Sequence, residues 1–243
     1  MNRPYPLFAL VLFCLLPSLT FTPPRSSARQ LPSAKDAAAP ALEQEVLKEI
    51  NLARTRPAEY AAHLEQLRPY FNGKEYRRPG LPGLLTQEGA RALDEAIAFL
   101  RAARPAPALT LSQGMRAGAY DLVKEQAGTD STGHRGADGS FCEQRAQRFG
   151  AWKEPIGENL TYGSDTARER VLTLLIDDGF ASRGHRRRLL DDAFRVAGVA
   201  CGDHKLGAVC VITLAGGFTD SAPKATPPAA KPPRPAPAGA RRF

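Results

Sequence analysis

The feature that most restricts the fold is a late pair of β-rich runs. Arg195–Gly202 reads RVAGVACG and Ala208–Ala215 reads AVCVITLA, with DHKLG between them. Two such runs around a short polar connection form a hairpin. Strands are therefore expected at Val196–Cys201 and Val209–Phe218, with a third at Gly157–Tyr162. The chain before them is helical by period. ALEQEVLKEINLARTR places Leu42, Val46, Leu47, Ile50 and Ala53 on one face. Pro57 opens the next turn, PAEYAAHLEQL, because the N–H it lacks has no partner in a first helical turn. GARALDEAIAFLRAA stops at Arg104-Pro105. SQGMRAGAYDLVKEQAG has Ser112 as N-cap and Gly128 as stop. SFCEQRAQRFG, capped by Ser140, and SDTARERVLTLLIDDG, with Leu172, Leu175 and Ile176 facing inward, complete the helices. Residues 67–86, rich in Gly and Pro, read as a loop. Helices first and a small antiparallel sheet last imply an α+β layer fold.

The two ends do not belong to that fold. Leu7–Phe21 reads LFALVLFCLLPSLTF behind a single charge at Arg3. It falls short of the ~20 apolar residues of a membrane span and is broken by Pro17. Residues 1–34 are expected to be a signal peptide and linker, and the protein secreted or periplasmic. Residues 221–243 are Pro- and Ala-rich, with five basic residues and no acid. They are expected to be a disordered tail, open to a second role as a tether to the cell envelope. The formal charge of +8 lies wholly in these ends: Arg3, Arg25 and Arg29 in the first, five cations in the last. The folded part, 35–220, is neutral, so no basic face and no nucleic-acid partner are implied. Trp152 and the scattered tyrosines form no stacking platform either, and a monomer is expected.

Cysteine use fits export. Cys201 and Cys210 would face each other across the hairpin, where they either bond in an oxidising compartment or stay as two buried thiols. Cys142 is left over as a buried thiol.

Polar residues beside glycine mark three segments: Thr132–Ser140 with His134, Ile156–Leu160 with Glu158, and Asp177–His185. Imidazole nitrogen and carboxylate oxygen are ligands that zinc accepts, and they also serve as general acid and base. Each has a plainer reading. His134 sits before a helix, His185 opens HRRRLLDD, and Glu158 can tie loops through backbone N–H groups. Ser182 lies near His185 without a nucleophile elbow. His63 and His204 read as unremarkable.

TGHRGADGS, GENLTYG, SRGHRRRLL and GVACGDH…CVITLAGGF, in this order, resemble the CAP superfamily: cysteine-rich secretory proteins, antigen 5, pathogenesis-related proteins and their bacterial SCP-like relatives. Asn51, Arg54 and Pro57 match the opening N-x-x-R-x-x-P. The resemblance covers about residues 43–220 and implies a three-layer α-β-α sandwich with a small antiparallel sheet and a large central cleft. It also implies a tetrad of His134, Glu158, His185 and a second acid, able to hold zinc or another divalent cation. That acid usually ends W-x-x-E. Here Leu175-Ile176-Asp177-Asp178 puts Asp178 at the position, with Asp177 as its rival.

What the resemblance implies about activity is broad. The expected role is a non-enzymatic cleft that binds a small apolar or anionic ligand above the tetrad. The alternative is a metal-dependent hydrolase, protease-like, with Glu158 as base. A third reading makes the tetrad a staple between helices and sheet.

Overall fold

The structure is a computed structural model that describes residues 40–163 and 166–221. The expected leader and the basic tail beyond Ser221 lie outside the described residues.

The first two helices, α1 (Ala41–Thr55) and α2 (Pro57–Glu65), meet at Arg56, with Pro57 at the first helical position. Val46, Ile50 and Ala53 of α1 are buried, as are Tyr60 and Leu64 of α2. The region 67–86 is more ordered than a loop. A 3-10 turn at Arg68–Tyr70 leads into a ribbon of two-residue strands, β1 (Phe71–Asn72), β2 (Glu75–Tyr76) and β3 (Leu84–Leu85). Gly73 turns β1 into β2 at φ 60°, and the Phe71 and Tyr76 rings pack at 4.7 Å. Then follow α3 (Ala90–Ala102), β4 (Thr110–Leu111), α4 (Gln113–Gln126) and α5 (Cys142–Gln147). Ser112 caps α4 by accepting from Met115 N. Phe141 rather than Ser140 is the N-cap of α5. The last half is β5 (Gly150–Tyr162), α6 (Ala167–Ile176), α7 (Gly184–Leu190), β6 (Val196–His204) and β7 (Gly207–Asp220).

The main sheet has the order β4-β6-β7-β5, so β5 is an edge strand. β5–β7 and β6–β7 are antiparallel, and only the short β4 runs parallel to its neighbour. Successive strand residues point to opposite faces, and the core divides accordingly. Val199, Ile212 and Leu214 pack with α1, α2, α3, α6 and α7 in the larger core. Leu160, Ala200 and Val211 pack under α4 in the smaller one. The result is α+β, a three-layer α-β-α sandwich. The α4 layer lies very close to the sheet. A Cβ on Gly198 of β6 would come within 2.3 Å of Met115 and Arg116 backbone, so the glycine of VAGVACG sets that approach.

Asn51 and Arg54 do structural work at long range. Asn51 donates to and accepts from Leu109. Arg54, fully buried, donates to the carbonyls of Pro107, Leu189, Asp191 and Phe194. One guanidinium thus ties α1 to the segment before β4 and to the turn after α7, satisfying carbonyls that burial would otherwise leave unpaired. Cys201 and Cys210 oppose each other on β6 and β7 and form a disulfide, Cα atoms 4.1 Å apart. Cys142 is a buried free thiol, its pKa pushed up to about 12 chiefly by burial.

Candidate functional site

Two histidine–carboxylate pairs stand on either side of the edge strand. In the first, His134 Nδ1 donates to Glu158 Oε1 at 3.0 Å. Glu158 lies on β5 at 4 % exposure, and its Oε2 accepts from Arg145 Nη2 (2.6 Å) and from Thr213 Oγ1 on β7 (3.4 Å). Arg145, on α5, also donates to the His134 and Ser140 carbonyls. One buried guanidinium therefore neutralises the carboxylate and fixes the loop that carries the histidine. Isolated buried charge is costly, and this pairing is what makes Glu158 tolerable.

The second pair is built differently. α6 ends at Asp177, which takes the left-handed conformation (φ 55°) that aspartate accepts more readily than most residues. Its Oδ1 accepts from His185 Nδ1 at 2.6 Å, and its Oδ2 accepts from the backbone N–H groups of His185 and Arg186. The carboxylate thereby caps the open end of α7 as well as orienting the imidazole. Arg183, between them, donates to Glu88, Glu95 and the carbonyls of Asp177 and Phe180. Those bonds draw Glu88 down to about 2 and hold the 177–185 turn against α3.

The acid paired with His185 is Asp177 and not Asp178. Asp178 points the other way, accepting from the N–H groups of Gln87 and Glu88 just before α3. The left-handed residue at 177 reverses the chain, so the next side chain leaves the His185 side altogether. His204, buried at the hairpin end, donates from Nε2 to the Ser131 carbonyl and accepts from Leu206 N. It is a hairpin tie.

The pairs do not merge into one metal shell. Glu158 and Asn159 are consecutive on β5, so their side chains take opposite faces. Glu158 meets α5, whereas Asn159 Nδ2 donates to the His185 carbonyl on α7. Arg188 hooks over the edge to the Glu158 carbonyl and Asn159 Oδ1. Among the described residues no three of His, Cys, Asp and Glu gather as a metal site. Zinc takes three or four protein ligands, and here both carboxylates are engaged by nitrogen donors. The divalent cation implied by the resemblance does not fit this donor set as it stands. What remains presented is Nε2 of each histidine, which has no hydrogen bond among the described residues. The His134 side chain is 43 % exposed and that of His185 19 %. Phe180, 56 % exposed, stands edge-on to His185 at 4.8 Å. Two surface hollows are lined without a histidine: one of about 720 Å³ lies along Trp152–Ile156, the other of about 290 Å³ beside Phe99 and Leu190.

Residues 94–213 match the model of the cysteine-rich secretory protein family, CAP. That segment is a CAP domain. Two solved structures are similar to the chain. An extracellular protein containing an SCP domain from Bacillus anthracis str. Ames is 20% identical, over 51% of this chain and 39% of its own, at a TM-score of 0.36. The CAP domain of Enterococcal PrgA is 19% identical, over 44% of this chain and 52% of its own, at a TM-score of 0.33. The chain thus spans about two fifths of the length of the first and about half of the second. No curated protein gives a significant match. The CAP segment includes both histidines and both of the acids that hold them.

Sequence reading missed Arg145, Arg183 and Arg188, on which the pairs depend. A signal for the first was present. Cys142, Arg145 and Ala146 fall at i, i+3 and i+4 on the inward face of α5, and a cation on an apolar stripe needs a buried partner.

Proposed function

We propose that this CAP domain is exported and acts as a non-enzymatic binding module, in which the Nε2 atoms of His134 and His185, one on each side of β5, are the ligand-contacting groups. The observation that carries this reading is the arrangement of the imidazoles. Each is fixed through Nδ1 by a buried carboxylate and offers Nε2 outward. With exposed Phe180 beside His185, the ligand class that suits is a small anionic or polar head on an apolar stem. Export is supported by the apolar run Leu7–Phe21 and by the Cys201–Cys210 disulfide, which persists in oxidising compartments. The hydrolase reading draws no support from Glu158. A general base needs an oxygen within reach of water or substrate, and both of its oxygens are occupied by His134, Arg145 and Thr213.

Calorimetric titration of the chain with dodecyl phosphate and with inorganic phosphate tests the proposal. Saturable binding of the alkyl phosphate is expected, weakened at least ~10-fold in His134→Ala/His185→Ala. Turnover of a peptide or ester substrate that is lost in Glu158→Gln, with the fold retained, would establish the hydrolase instead. Zinc titration separates the third case: one-site binding lost in the double variant would show that the pairs rearrange around a cation.

A further inference from the structure

Away from the histidines, β5 forms one wall of an open hollow of about 720 Å³. Trp152, Glu154, Pro155 and Ile156 line it from the strand, Glu143 reaches it from α5, and Asp191 from the turn after α7. None of these three carboxylates has an ion-pair partner among the described residues. The nearest guanidinium on α7 is committed elsewhere. Arg188 serves the Glu158 carbonyl and Asn159, while the stem of Lys153 passes Gly217 and its ammonium pairs with none of the three carboxylates. An aromatic ring and a proline between carboxylates that have no direct ion-pair partner suit a cation carried on an apolar or proline-rich backbone.

The chain carries such a segment, and β7 delivers it to the spot. Phe218 pairs with Trp152 and Asp220 with Gly150, and Ser221 N donates to the Phe149 carbonyl at 2.8 Å. Residues 222–243 follow at once, with Lys224, Lys231, Arg234, Arg241 and Arg242, seven prolines and no acid. A proline-rich chain advances ~3.1 Å per residue. At that advance Lys224 could reach about 10 Å from Ser221 and Arg234 about 40 Å. A short tether also raises the local concentration to the millimolar range, so a weak contact suffices. We propose that the basic, proline-rich segment 222–243 docks in cis into the Trp152 hollow, pairing its cations with Glu143, Glu154 and Asp191.

Trp152 is the single tryptophan of the chain, which makes it the reporter. Its emission and its quenching by acrylamide are compared in the full chain and in a full chain with the five tail cations changed to glutamine. That variant leaves the folded residues untouched. The native chain is expected to show a more protected ring and to lose the protection toward ~1 M NaCl, where screening acts within ~3 Å. Glu143→Gln/Glu154→Gln/Asp191→Asn should lose it likewise. A synthetic peptide of residues 222–243, added to the glutamine-tailed chain, should restore it. Equal quenching of the two chains in low salt would overturn the proposal. Protection that rises with protein concentration would also overturn it, because the tail of a second copy would then be the occupant.

Discussion

The two histidine–acid pairs are alike in chemistry and unlike in construction. His185 and Asp177 are eight residues apart, joined by one turn and the first turn of α7. His134 and Glu158 are separated by 24 residues and brought together only when β5 has docked on β7 and α5 has closed over it. The local pair is held mainly by backbone N–H groups, and Arg183, in the turn between its members, reaches out to α3. The distant pair leans on one buried guanidinium that both balances the charge and fixes the loop. A local pair is robust because the backbone that makes it also defines it. A long-range pair concentrates its energetics in the residue that bridges the elements.

Arg145→Met should break this comparison most sharply. It strands the Glu158 carboxylate in the core, and removing one partner of a buried pair costs about 3–5 kcal/mol. Urea unfolding measures it. Arg183→Met should cost less, about 1–3 kcal/mol, because Glu95 is half-exposed and retains Arg186. Equal losses would show that the two halves are built alike after all. Next in size is the hairpin disulfide, which closes a short loop between residues nine apart. Cys201→Ser/Cys210→Ser should cost about 2–3 kcal/mol by loop entropy, and should weaken both pairs equally, because β7 underlies both. Asp177→Asn should cost about 1–2 kcal/mol through the lost charge at the α7 cap and shift the His185 imidazole resonances. Asp178→Asn should leave those resonances in place and disturb the start of α3 instead.

Much of the fold was legible because it rests on period and punctuation. The face of α1, Pro57, Ser112 and the hairpin runs all stand where local chemistry puts them. Arg54 and Asn51 read as a motif, but their role as ties to carbonyls of residues 107–109 and 189–194 becomes visible only in three dimensions. The site was legible in its members and not in its pairing. Choosing between Asp177 and Asp178 turned on which one leaves the helix in the left-handed conformation, and DDG contains no rule for that. The opposite facing of Glu158 and Asn159 follows from strand alternation, yet its consequence, two pairs instead of one shell, needed the positions of α5 and α7.

The smallest expected effect is also the most selective, because acid should loosen one pair before the other. Glu88 sits at about 2 against an ordinary 4.5, chiefly through its hydrogen bonds from Arg183, and Glu95 is lowered for the same first reason. A carboxylate whose pKa is lower in the folded state contributes stability in full above its unfolded value and loses it as pH falls through the folded one. The window for Glu88 is therefore from about 4.5 down to about 2. Over that range the hold of Arg183 on the 177–185 turn should weaken. Amide exchange across residues 177–190, corrected for its intrinsic pH dependence, should accelerate while that of β7 stays slow. In Arg183→Met, the acid-dependent part should vanish. Simultaneous opening of both regions would mean that the local pair is no less dependent on the whole fold than the distant one.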